Sequence, residues 1–98
     1  MDDPSLLRWL NETRQSLTGR GVQVQLIQRH DTSMDPDIVL DLESEVMIAS
    51  IGIWTALQKA ELHAVSISAE APLLLEHVSL AGNTYDVAFR PVVELFER

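Results

Sequence analysis

His63, His77 and Glu61 are the residues whose types and spacing come closest to a reactive or metal-binding set. An imidazole is the usual base or ligand near neutral pH. A three-residue hairpin loop over Ala69, Glu70 and Ala71 makes Ser68 face Pro72, Ile67 face Leu73, Val65 face Leu75 and His63 face His77. Glu61 then shares their sheet face, and a ligand from a neighbouring strand would complete a metal site of two histidines and a carboxylate. A one-residue change of register sends the two imidazoles to opposite faces, and histidine is common on solvated strands. The expectation is therefore no metal and no cofactor.

Acid–base catalysis by two carboxylates needs unequal burial to push their pKa values apart. Asp41, Glu61 and Glu76 fall within strand-like segments, at positions where alternation lets a side chain face water. Their ordinary reading is a solvated sheet face. The chain has no cysteine, which excludes disulfides, thiolate catalysis and thiolate-ligated metals. Neither a Gly-x-Ser-x-Gly elbow nor a phosphate-cradling glycine loop is present, and there are only four glycines in all. The chain is expected not to be an enzyme.

Charge is more informative than any single residue. The formal net charge is −8, a sign that repels phosphate backbones and anionic lipid. From His30 to Asp86 ten acidic residues are opposed by Lys59 alone, so the middle of the chain carries the whole excess. A surface of one sign attracts a basic protein and speeds its association at low salt. Asp35, Asp37, Asp41, Glu43 and Glu45 form the densest run and are the expected electrostatic contacts. Solubility alone is the bland account of such a charge. Trp54 ends the most apolar segment. Closing one end of the core is its ordinary role, and an exposed interface anchor is the alternative.

The elements that must position these residues follow from pattern. Ninety-eight residues, 46% of them hydrophobic, make one domain spanning 1–98. Asp3 and Pro4 suit a helix start, and Leu6, Leu10, Thr13 and Leu17 repeat at helical spacing, with Trp9 beside them. Gly19 or Gly21 stops that helix. Val22, Val24 and Leu26 alternate with glutamines as a strand, and Ile38, Leu40 and Leu42 share one face of a second. After a reversal at Glu43–Glu45, residues 46–54 are apolar nearly throughout, which fits a central strand covered on both faces or a short buried helix, and the β-branched residues favour the strand. Leu62, Ala64 and Ser66 alternate in a fourth strand, and residues 73–80 make a fifth. Asn83 or Thr84 can cap a last helix carrying Tyr85, Phe89, Val92 and Phe96; Pro91 inside it deletes one backbone hydrogen bond and kinks the axis, and the alternative is a start near Arg90 with Pro91 in the first turn. The fold class is α+β: an antiparallel sheet of about five strands, with an N-terminal and a C-terminal helix packed on one face.

Leu7-Arg8-Trp9-Leu10, Gly21-Val22-Gln23-Val24-Gln25, the run from Ile38 to Glu45, Ile51-Gly52-Ile53-Trp54, and the closing stretch from Tyr85 to Phe96 resemble the TriTu family of bacterial immunity proteins. The family continues after the tryptophan with a small polar turn containing glycine, where this chain has Leu57. The resemblance implies a protein that neutralises one cognate toxin of a polymorphic toxin or contact-dependent secretion system. A nuclease-like toxin would present a basic cleft to the acidic face. The alternative is a small acidic secretion chaperone that binds an exported effector as a homodimer, so monomer and homodimer both stand. No segment approaches the roughly 20 apolar residues of a membrane span. The acidic start Met1-Asp2-Asp3-Pro4 is unlike a secretory signal, so a cytoplasmic location is expected.

Overall fold

The computed structural model of the chain describes residues 4–28, 36–68 and 71–97. Helix α1 spans Pro4–Thr18 and buries Leu6, Trp9, Leu10 and Leu17 along one stripe. It ends where Gly21 takes φ +80°, a conformation that costs glycine little. There the Gly21 N–H donates to the Thr18 carbonyl and the Val22 N–H to the Leu17 carbonyl, both at 3.1 Å, satisfying carbonyls that the helix end would orphan.

Five strands follow: β1 (Gln23–Gln28), β2 (Ile38–Glu43), β3 (Met47–Trp54), β4 (Lys59–Ser66) and β5 (Ala71–Ser79). They pair in sequence order as an antiparallel meander. Helix α2 spans Tyr85–Glu97. An odd number of antiparallel strands brings the chain back in the direction in which it entered the sheet, so α2 runs the same way as α1. Their matching ends meet accordingly, with Trp9 edge-on to Phe89 and the Arg20 guanidinium donating to the Glu97 carbonyl.

Both helices cover the same face. That face carries Leu40 and Leu42 from β2, Ile51 and Ile53 from β3, and Ala60, Leu62 and Ala64 from β4, against which Leu6, Leu17, Phe89 and Val92 close the core. Phe89 of α2 is fully buried, with the Trp9 ring edge-on to it and the Tyr85 ring stacked on it. No polar or charged residue is buried among the described residues.

Two expectations are corrected and one alternative is decided. The central strand is not covered on both faces. Met47, Ala49, Ile51 and Ile53 are buried while Ile48 is exposed, because two helices suffice for only one side of a five-stranded sheet. Helix α2 does not restart at Arg90: it begins at Tyr85, capped by the Thr84 hydroxyl, which accepts the Val87 N–H at 3.2 Å, and carries Pro91 inside it. The helical bond that Pro91 cannot make would go to the carbonyl of Val87, an exposed residue within reach of water. The β4–β5 register also differs. The hairpin closes on Ser66 opposite Ala71 instead of Ser68 opposite Pro72, and together with a one-residue bulge between Ala64 and Val65 this sets His63 opposite Leu75 and Glu61 opposite His77.

Candidate partner-binding face

With both helices on one side, the other face of the sheet is covered by neither of them. Alternation puts Val39, Asp41 and Glu43 of β2, Ile48, Ser50, Gly52 and Trp54 of β3, and Lys59, Glu61, His63 and Val65 of β4 on that face. Pairing arranges them in rows. One runs Gln25, Asp41, Ser50, His63, Leu75, and the next runs Gln23, Glu43, Ile48, Val65, Pro72. In these two rows acid lies on β2 and aliphatic side chains on β3, β4 and β5, while the neighbouring row runs Val39, Gly52, Glu61, His77.

The sequence-predicted contacts are distributed unevenly. Asp41 and Glu43 stand on the open face, two residues apart on β2, and form no ion pair with a described residue. Glu45 is exposed in the following turn. The Ser44 hydroxyl shapes that turn by accepting the Val46 N–H at 3.3 Å and the Met47 N–H at 3.2 Å. Asp35 lies outside the described residues.

Asp37 is engaged within the fold. One carboxylate oxygen accepts the Thr55 N–H at 2.9 Å and the other the Thr55 hydroxyl at 2.5 Å, so this side chain ties the start of β2 to the end of β3. Partial burial pushes its pKa up, but the hydrogen bonds from the Thr55 hydroxyl, the Thr55 N–H and its own backbone outweigh that and hold it below its ordinary 3.8. Asp37→Ala is expected to cost about 1 kcal/mol of stability at neutral pH. Because the folded-state pKa is depressed, the ionic part of this contribution is present above the unfolded value of about 3.9 and is lost as pH falls through the folded one. Urea titrations of the two proteins should therefore differ at pH 7 and draw together at pH 2–3.

Trp54 does not close the core. It stands half-buried on the open face, its ring edge over the surface of Gly52, with the Lys59 ammonium 5.0 Å from the ring centre. A methyl group at Gly52 would come within 3.1 Å of the Pro36 ring, so the glycine lets Pro36 lie against the sheet. Pro36, Val39, Gly52, Trp54, Glu61 and His63 line a shallow depression of about 470 Å³ in mid-face.

The histidine pair survives in altered form. His63 and His77 share the open face, now diagonally, because the register differs by two residues between them and a two-residue change preserves the face. The His77 Nε2 lies 3.5 Å from a Glu61 oxygen, both side chains well solvated. No three metal-ligating side chains are grouped among the described residues, and no helix is long and apolar enough to cross a membrane.

The sequence reading missed the aliphatic side of this face. Ile48, Val65 and Leu75 stand there by register, and the signal was present. A strand apolar at nearly every position, in a chain with only two helices to cover five strands, must show one of its faces to water.

A family model described as immunity protein TriTu matches residues 5–92 of the chain. No curated protein and no solved structure matches it.

Proposed function

The chain belongs to the TriTu immunity protein family, and from that premise we propose that it binds and neutralises a cognate protein toxin through the open, acidic face of its sheet. The observation that carries the reading is the pair Asp41 and Glu43, unneutralised by any described residue, on a face that neither helix covers. An immunity protein needs no catalytic group. It needs a preorganised surface complementary to its toxin, and a β-sheet is a rigid platform for one.

In this reading Asp41, Glu43 and Glu45 supply the charge that steers a basic toxin surface into place. A toxin acting on nucleic acid has such a surface at its own substrate cleft, and carboxylates then stand where phosphates would. Trp54 contributes the flat apolar wall of the mid-face depression, and Asp37 holds the β3–β4 turn that carries it. Asp35 belongs to the same acidic run. The interaction takes place in the cytoplasm.

The chaperone alternative calls for a helix between the third and fourth strands, and residues 55–58 form a turn there. Co-expression of the chain with the product of the adjacent upstream open reading frame is expected to give a stable complex on purification. If the chain instead elutes alone at every salt concentration, it does not act by binding that neighbour and the reading fails.

A further inference from the structure

Eight large hydrophobic side chains are exposed among the described residues, and five of them gather at one end of the open face. Ile48 is 48% exposed on β3 and Leu75 62% exposed on β5, with half-buried Val65 between their strands on β4. Leu73, 48% exposed, is the extra residue of the bulge beside Val65. Val46 and Ile67, joined by a hydrogen bond from the Ile67 N–H to the Val46 carbonyl, extend the group past the strand ends at 65% and 41% exposure. Aliphatic side chains scattered singly over a surface need no explanation, but a contiguous group on a sheet face does.

We propose, building on the immunity reading, that this aliphatic group is the centre of the toxin contact and that the acids are its rim. Its occupant is an apolar projection of a folded partner with basic side chains on one flank. Charge makes the assignment. Glu43 is the direct cross-strand neighbour of Ile48, Asp41 lies one row away, and Glu45 adjoins Val46 in the turn, so one border of the apolar group is acidic. A second copy of this chain would bring the same acids and the same −8 net charge to that border, whereas a basic-flanked partner satisfies both parts of the surface at once. Tight interfaces are built in this way, with a water-excluding apolar centre that sets the dissociation rate and a charged rim that sets the association rate.

The test uses Ile48→Ser and Leu75→Ser, singly and together, in the full chain, with the product of the adjacent upstream open reading frame as the binding probe. Both positions face water in the free protein, so melting temperatures should stay near that of the unsubstituted chain. The double variant should bind at least 100-fold more weakly, mostly through faster dissociation, and the unsubstituted complex should persist in 1 M NaCl. Binding within threefold of the unsubstituted chain overturns the proposal while leaving the immunity reading intact. A concentration-dependent dimer of the chain alone, abolished by the same substitutions, also overturns it, because the face would then belong to a second copy. Absence of any complex with the unsubstituted chain removes the immunity reading and this proposal with it.

Discussion

Reversing the charge of Asp41 and Glu43 together, as Asp41→Lys with Glu43→Lys, is expected to weaken toxin binding by about 30- to 100-fold at low ionic strength. Each reversal changes the local charge by two units. At the rim of an interface, contacts of this kind are worth about 0.5–0.7 kcal/mol per unit of charge, so the four units changed by the double reversal total about 2–3 kcal/mol. The loss should fall mainly on the association rate, since long-range steering acts before the surfaces touch. It should also shrink to a few-fold in 1 M salt, where the screening length is about 3 Å. Both side chains stand on the open face and form no ion pair with a described residue, so the fold should tolerate the change. An equal loss at low and high salt would contradict the steering role.

Phe89→Ala is expected to lower stability by about 3–5 kcal/mol. The ring is fully buried, meets Trp9 edge-on at 5.0 Å and stacks on Tyr85 at 5.7 Å, so it joins α2 to α1 within the core. Its removal takes away the buried area and both ring contacts, and backbone on either side limits how far the cavity can collapse. In a domain of this length each kcal/mol moves the melting temperature by roughly 4–8 °C, so the midpoint should drop by at least about 12 °C. Phe89→Leu should recover about half of the loss. A drop under about 5 °C for the alanine variant would mean that the helix layer is held mainly by other contacts. The sheet forms the open face, so any loss of binding in this variant should track the unfolded fraction.

Much of the architecture was legible because the apolar alternation in β1 and β2 commits each strand to one buried face. Leu40 and Leu42 lie under the helices and Asp41 and Glu43 opposite them, as period two requires. The same rule failed for β3, where apolar residues on both faces hide which one is covered, and the choice was made by the number of helices available. The direct opposition of His63 and His77 failed for another reason. Strand pairing depends on the whole hairpin, and the bulge at Ala64/Val65 carries no local sequence mark. The role of Asp37 was likewise beyond local reading, since its partner Thr55 lies 18 residues away and is brought near only by the β2–β3 pairing. Pro91 illustrates the opposite case, in which a strong local signal is overruled. Val92 and Phe96 are buried beyond it, and that packing outweighs one missing backbone bond.

The open face of the sheet, more than the order of its elements, depends on structure that local pattern does not carry. Acidic residues are visible in the sequence as a charge excess, while the exposure of the aliphatic group beside them depends on which face of the sheet the two helices cover. Placed together on one uncovered face, the two describe a surface with a border of charge and a centre able to exclude water.

The central claim is that this chain protects a cell by occupying a toxin, and growth measures it most directly. Cells expressing the product of the adjacent upstream open reading frame should stop growing, and co-expression of this chain should restore growth, with the combined Asp41→Lys, Glu43→Lys, Ile48→Ser and Leu75→Ser variant failing to do so while remaining folded. A neighbour that is toxic and stays toxic in the presence of the unsubstituted, folded chain would contradict the account.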